Sequence, residues 1–591
     1  MIGCLSTFVQ GTRVLTQQRA ELTGDLLRGD DAMTGSVDNG AFTPGPQARP
    51  PRHAFEGTLE LDQTRLSTDC VQLAEPSVLG GDPRQFPAVA LGFVTEGDAL
   101  VPVHRGLHRQ TGTSYWDLMA GTGRLWSEAS DGGLTRAAFA FQLSNERENE
   151  SHHGLATFLF DDRQVSDLAV QKITETRPDH LPADFGLWGR VPARLTAGEP
   201  AGAPAARTDH RADGAEAFAI RPIGELAADC GRDLIDALAE GAGAASEIVA
   251  GLVVGDVIYA TPMTVAHGAA PFPRAMRFGV WSATKSAFGA LALMRLAHHL
   301  GPDIGETLVR DVIDVTAEHD GWRDVTVKHC LSMASGIGTA SCNREPIDVY
   351  ADNLTGPENI GSEGEACHRA YQAWYEARSR RQKLDAAFAC PSYSWGPGEI
   401  ARYRDQDLFM SGAAMDAVWK AHAGPQADLF VMVADEVYRE IGIRGADMNR
   451  TIEPDGGLGL PLTAFGLFLG LDDVAKLGRL LSAGGVHGGE QLLDPLVVAD
   501  ALDTSPTKGL ATGQMSSDGD ITYHLTYWML AYRSRQSGPM RLPTMRGYGG
   551  NVIQPLPNGM TAFRFAHDEP GEDDRYDALK LARIADKLEA F

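Results

Sequence analysis

Between residues 55 and 192 the apolar positions fall in short runs broken by turn residues: "FPAVALGFV", "EGDALVPVH", "AAFAFQL", "GLATFLFDD" and "FGLWGRV". Alternating or aromatic runs of this length predict β-strands, so a β-rich domain is expected here. Residues 1–54, which include "DDAMTGSVDNGAFTPGPQARPPRH", are rich in Gly, Pro and polar residues without an apolar period, and predict an N-terminal arm rather than core. Residues 193–214 are dominated by Ala, Gly, Pro and charge and predict a linker. From 215 to 591 helical patterns alternate with strand-like runs, the pattern of a large mixed domain.

Within that domain "GVWSATKSAF", residues 279–288, opens a segment in which Ala287, Phe288, Ala290, Leu291, Leu293, Met294, Leu296 and Ala297 are apolar nearly all round, with Gly301 as a C-cap candidate. A buried helix is expected. Ser282 and Lys285, three positions apart, then share one face about a turn apart, so the amine can reach the hydroxyl. Two readings fit the tetrad alone: a helix-capping serine with a solvated lysine, or a nucleophile with its base. A serine hydroxyl attacks only when a neighbouring base takes its proton, and a lysine serves only when burial or another cation lowers its pKa.

The order of the segments downstream decides between them. "WRDVTVKHCLSMASGIG" follows at 322–338, then "GPGEIARYRDQDLFMSGAAMD" with Tyr403 and Asp405, then "PDGGLGLPLTAFGLFLGLDDVAKLGRLLSAGGVHGGEQLL", and last "MRGYGGNVIQPLPNGMTAFRF". In this order the chain resembles the serine β-lactamase and penicillin-binding-protein superfamily, in its class C, family VIII esterase and D-aminopeptidase-like branch. The resemblance covers about half the chain. It implies an α+β fold, the β-lactamase-like transpeptidase fold of an antiparallel sheet flanked by helices plus a helical subdomain, here with an added β-rich N-terminal domain.

The resemblance implies Ser282 as nucleophile, Lys285 as base, and Tyr403 as a second base or acid whose phenol Lys285 lowers toward the phenolate. Tyr548, Gly549 and Gly550 stand at the third motif, and the backbone N–H of Asn551 joins that of Ser282 as oxyanion donor. The Gly549–Gly550 pair also reads as a bulge in an edge strand. Tyr548 replaces the lysine or histidine usual at its position, which favours neutral esters or amides unless Arg546 substitutes for the missing cation. Asp405 stands where asparagine is usual; it meets a substrate cation or pairs with Arg402 or Arg404, the pairing being the expectation. Residues 339–393 predict a lid insertion, with Trp374 and Tyr375 as candidate substrate contacts or as packing residues.

Composition narrows the remaining classes. With 78 acidic against 52 basic residues and a net charge of -26, the chain repels phosphate backbones, so no nucleic-acid partner is expected. No run reaches the roughly 18 apolar residues of a membrane span, and no signal peptide is recognised, so a cytoplasmic location is favoured over a periplasmic one. The cysteines Cys4, Cys70, Cys230, Cys330, Cys342, Cys367 and Cys390 show no zinc spacing. Free thiols are expected, although Cys342, Cys367 and Cys390 share one segment. The pairs His152–His153 and His298–His299 lack a third ligand and read as packing or surface residues; no metal and no cofactor is expected. The leading expectation is a serine hydrolase that cleaves an ester or amide, small or peptide-like, through an acyl-enzyme. Its rivals are a D-amino-acid peptidase or β-lactamase of the same fold, and a non-catalytic binding or sensor protein.

Overall fold

The alternating segments of residues 55–192 form one antiparallel sheet in the computed structural model, which describes residues 22–29, 31–73, 81–110, 114–177, 183–240, 244, 246–338, 346–352, 364–567 and 577–591. Its strands are β1 (Glu56–Leu61), β2 (Ser67–Leu73), β3 (Val89–Glu96), β4 (Ala99–Pro102), β5 (Asp117–Ala120), β6 (Gly123–Trp126), β7 (Thr135–Ser144), β8 (His152–Phe160), β9 (Leu168–Glu175), β10 (Ala183–Val191) and β11 (Ala193–Ala197). They run in the order β11-β1-β3-β4-β6-β7-β8-β9-β10-β2, with β5 beside β7. The sheet curls on itself: Phe55, just before β1, meets Phe158 on β8 at 5.6 Å, although four strands lie between β1 and β8 in that order. The period of two then sorts the side chains of β8. Ala156, Phe158 and Phe160 fill the inside of the curl with Phe93, Phe139 and Trp116. Leu155 and Leu159 point the other way, into the core of the second domain.

Two stretches differ from expectation. The predicted linker carries β11 and a helix, α1 (Ala203–Glu216), whose Ala203 and Ala206 pack on Val94 and Val101. Arg207 anchors it by donating to Glu56 at 2.6 Å and Glu199 at 2.5 Å. Its contact face is made of alanines, which leave no visible apolar period in a composition already full of alanine. In the predicted arm, a short helix at Gly24–Arg28 and a turn at Asn39–Phe42 bury Leu26, Leu27 and Phe42 in the core of the second domain.

The second domain holds a mostly antiparallel sheet of β12 (Ala219–Pro222), β13 (Glu247–Val254) and β14 (Val257–Ala260), completed near the C-terminus. Between these parts lie the short strands β15 (Phe278–Gly279), β16 (Asp447–Met448) and β17 (Leu467–Leu469), paired as β15-β17-β16. The large sheet is completed by β18 (Leu510–Ser516), β19 (Gly519–His524), β20 (Tyr527–Ser534), β21 (Gly538–Gly547), β22 (Asn551–Pro555) and β23 (Thr561–Ala566), in the order β12-β14-β13-β23-β22-β21-β20-β19-β18. Among the described residues only β12 and β14 pair in parallel. The longer helices described are α2 (Leu291–Leu300), α3 (Gly364–Glu376), α4 (Arg380–Phe388), α5 (Asp405–Ala423), α6 (Leu471–Ser482) and α7 (Leu579–Leu588). α6 packs on β22 and β23, and α7 on β13 and β23, while α5 packs on α2 and α4 in a helical layer. The fold is thus α+β, an antiparallel sheet flanked by helices with a helical subdomain, beside a β-rich N-terminal sheet.

Among the described residues no helix is long and apolar enough to cross a membrane. Cys230, Cys330 and Cys390 are buried free thiols, and Cys342 lies outside the described residues.

Candidate active site

β15 leads into the turn Trp281–Ala283, and Lys285–Ala290 then winds as a π-helix before α2 begins. Such π-segments often mark functional sites, because the wider turn re-aims side chains. Trp281 sits at φ 48°, in the left-handed region where a bulky residue costs about 1–3 kcal/mol. Two contacts from the N-terminal sheet hold it there. Its backbone N–H donates to Asn149 Oδ1 at 2.6 Å, and its indole Nε1 donates to the Arg177 carbonyl at 2.9 Å.

Lys285 is 1% exposed, so the solvated lysine of the capping reading is ruled out. Its amine donates to Ser282 Oγ at 2.7 Å and to the Ala464 carbonyl at 2.7 Å, and it forms an ion pair with Asp405 at 2.7 Å. Burial holds the amine below the ordinary lysine value, and the Asp405 carboxylate works against that shift. This corrects the expected pairing of Asp405. Arg404 instead pairs with Asp407 at 3.2 Å, and the Arg402 guanidinium lies 5.3 Å from the Trp395 ring. Asp405 begins α5 and turns inward, where its second oxygen accepts from the Tyr371 hydroxyl at 2.8 Å.

Tyr403 is stacked on Trp528 with ring centres 5.6 Å apart and hydrogen-bonds Ser282. Its ring lies 4.8 Å from Lys285 Nζ. Burial, then the charge of Asp405, push its phenol well above the ordinary tyrosine value, while the bond to Ser282 and the charge of Arg546 act in the opposite direction. The expectation of a phenol lowered by Lys285 is therefore corrected. Burial and the nearby Asp405 carboxylate keep the phenol protonated.

The third-motif residues form a turn rather than a bulge in an edge strand. Tyr548–Gly550 is the turn between β21 and β22, with Gly549 at φ 76° and Gly550 at φ 86°. Asn551 opens β22, a strand flanked by β21 and β23, and its side chain bonds the Tyr548 carbonyl and the Ala566 N–H. The β20–β21 pairing runs only from Ser534↔Gly538 to Trp528↔Thr544. Residues 545–547 thus extend past it, where a Cβ on Gly547 would lie 2.1 Å from the Val280 carbonyl. That end of β21 lies beside the turn that carries Ser282. Around it stand the half-buried Tyr548, whose ring meets Trp281 at 5.7 Å, and Arg546, 5.4 Å from the Trp528 ring.

The candidate lid contributes buried walls. Trp374 is 0% exposed and packs on Phe409 and Phe465, with Lys383 Nζ 4.2 Å from its ring. It is a packing residue, not a substrate contact. Tyr375 is also buried, and its hydroxyl donates to Glu148 Oε1 at 2.6 Å. Glu150 lies beside that carboxylate; burial first, then Glu148, push its own carboxyl well above the usual range. His152 and His153 are buried side by side on β8, with His153 Nε2 donating to the Arg277 carbonyl at 2.8 Å, and His299 pairs with Glu436 at 2.7 Å. Among the described residues no group of three or more His, Cys, Asp or Glu could hold a metal ion.

Comparison with known proteins gives structural likeness only. No protein-family model and no curated protein matches the chain. Among solved structures it is similar to a family VIII carboxylesterase, at 15% identity and TM-score 0.40 over 63% of this chain and 98% of that one. It is also similar to a D-stereospecific amidohydrolase from Streptomyces sp., at 15% identity and TM-score 0.38 over 61% and 98%. A third is a penicillin-binding protein homologue from Caulobacter crescentus, at 13% identity and TM-score 0.39 over 63% and 97%.

The sequence missed Asn149, Glu148, Arg177 and Tyr371. The one local signal was "SNERENES" between two apolar strands, a hairpin connection without Gly or Pro, which is unusual for a solvated turn.

Proposed function

We propose that the chain is a serine hydrolase that cleaves an ester or amide through an acyl-enzyme on Ser282. The observation that carries this reading is the 2.7 Å contact between a buried Lys285 amine and Ser282 Oγ, with the Tyr403 phenol on the same hydroxyl. In this mechanism Ser282 Oγ bonds to the substrate carbonyl carbon while its proton passes to Lys285, which acts as base in its neutral form, the form that burial favours. Asp405 meets the ammonium so formed, at 2.7 Å. The protonated Tyr403 gives its proton to the leaving oxygen or nitrogen as the scissile bond breaks, and recovers one from Lys285. Water then attacks the acyl carbon with the same groups acting in reverse, which releases the acid and restores Ser282. The oxyanion is received by the Ser282 N–H and by a backbone N–H at the end of β21, residues 545–547.

One observation favours the second reading, a D-amino-acid peptidase or β-lactamase. The Arg177 guanidinium lies 5.0 Å from the Tyr548 ring, and the charge of Arg546 reaches Tyr403. Two guanidinium groups near this turn suit a substrate carboxylate, although the third motif itself lacks a cation.

The test is hydrolysis of p-nitrophenyl esters. Ser282→Ala and Lys285→Ala are each expected to lower kcat/KM by roughly 10³-fold or more with the fold retained. Near-normal rates in either variant contradict the mechanism. Turnover of a β-lactam or a D-alanyl p-nitroanilide, without ester turnover, selects the second reading.

A further inference from the structure

We propose that Asn149, on the hairpin between β7 and β8, is a positioning residue for Ser282, so that one side chain of the N-terminal sheet holds the Ser282 turn in place. This rests on the reading of Ser282 as nucleophile. Asn149 is 0% exposed. Its Oδ1 accepts the Trp281 N–H at 2.6 Å, and its Nδ2 donates to the Leu467 carbonyl of β17 at 3.3 Å. One carboxamide therefore ties the residue before Ser282 to the strand that pairs with β15.

The backbone at Trp281 explains why that tie matters for chemistry. At φ 48° Trp281 holds a conformation that a bulky residue leaves when it can. With its acceptor removed, its N–H would be buried without a partner, and relaxation to negative φ would rotate the next residue, Ser282, away from Lys285 and Tyr403. The reach from Lys285 Nζ to Ser282 Oγ is 2.7 Å, so small rotations are enough to break it.

The hairpin is seated by contacts that do not involve Trp281. Ser151 Oγ accepts the Gly279 N–H at 3.1 Å, and the Thr176 hydroxyl accepts the Ser151 N–H at 2.8 Å. Asn449 Nδ2 donates to the Asn145 carbonyl at 3.2 Å and to that of Glu148. Ser144 Oγ donates to the Glu150 carbonyl at 2.7 Å across the base of the hairpin. The seat and the tie can thus be varied separately.

The experiment measures the rate constant for labelling Ser282 with a fluorophosphonate in the full chain, together with ester kcat and KM and the thermal midpoint. Asn149→Ala is expected to lower labelling and kcat by roughly 100-fold, with KM within about threefold of the parent. Asn149→Asp keeps an acceptor for Trp281 and is expected to recover at least about tenfold of that loss. Ser144→Ala loosens the hairpin away from the turn; it is expected to lower the thermal midpoint and leave labelling within about threefold. Should Asn149→Ala not accumulate as folded protein, Asn149→Ser, too short to reach the Trp281 amide, takes its place with the same expectation. Labelling within about threefold of the parent in the Ala or Ser variant overturns the proposal, as does an equal loss in Ser144→Ala. A parent that does not label at Ser282 overturns the nucleophile reading itself, a failure seen before any Asn149 variant is made.

Discussion

Two hairpins converge on Ser282, and they are built in opposite ways. The connection between β7 and β8 has Glu148, Asn149, Glu150 and Ser151 all buried to 1% exposure or less, and its side chains bond the backbone of the nucleophile segment. The turn Tyr548–Gly550 leaves Tyr548 half-buried, with Arg546 just before it equally accessible. Hairpin ends are ordinarily the exposed and variable part of a sheet. The second domain supplies hydrogen bonds to three of these four buried polar residues, Asn149, Ser151 and Glu148. One hairpin fixes the turn that carries Ser282, and the other stands half-buried beside it.

The largest expected break of this contrast is Gly279→Ala. A Cβ there would lie 1.5 Å from the Asn149 carbonyl oxygen, a backbone atom that cannot rotate aside. The expected loss exceeds about 4 kcal/mol or prevents folding, read by urea denaturation. Next, Tyr403→Phe keeps the stacking on Trp528 but removes the proton donor, with an expected fall in ester kcat of roughly 100-fold and little change in KM.

A third effect tests how dry the fixing hairpin is. Burial lowers His153 from its ordinary 6.5 to about 4. Between those values the unfolded chain takes up a proton that the native one refuses, so stability falls as pH falls through this window. At pH 5 one such histidine costs about 2 kcal/mol. The thermal midpoint is expected to drop from pH 7 to pH 5, and by less in His153→Gln; an equal drop in both would place His153 outside the dry region. The smallest effect is Gly549→Ala in the second turn, where a φ of 76° and the Arg177 Cβ 2.9 Å away predict a cost of about 1–2 kcal/mol. A loss as large as that of Gly279→Ala would erase the contrast between the hairpins.

What the sequence made legible follows from where the information lay. Ser282 and Lys285 share a helical face, a local matter, and the apolar residues after them announced burial. The strands of residues 55–192 showed in their alternation. Asp405 was misassigned because Arg402 and Arg404 are its neighbours in sequence, whereas its partner Lys285 is brought to it by the packing of α5 on the nucleophile helix. Tyr548–Gly550 was read as motif rather than turn because a glycine pair serves close approach and positive φ equally, and only the backbone angles separate the two. Asn149 and Trp281 meet 132 residues apart, a contact that no local pattern announces.

The most direct measurement of the central claim is mass-spectrometric mapping of the fluorophosphonate adduct on the full chain, parent and Lys285→Ala side by side. The account predicts a single adduct on Ser282 in the parent and its near-complete loss in the variant. An unlabelled parent, an adduct on another serine, or equal labelling without Lys285 would contradict it.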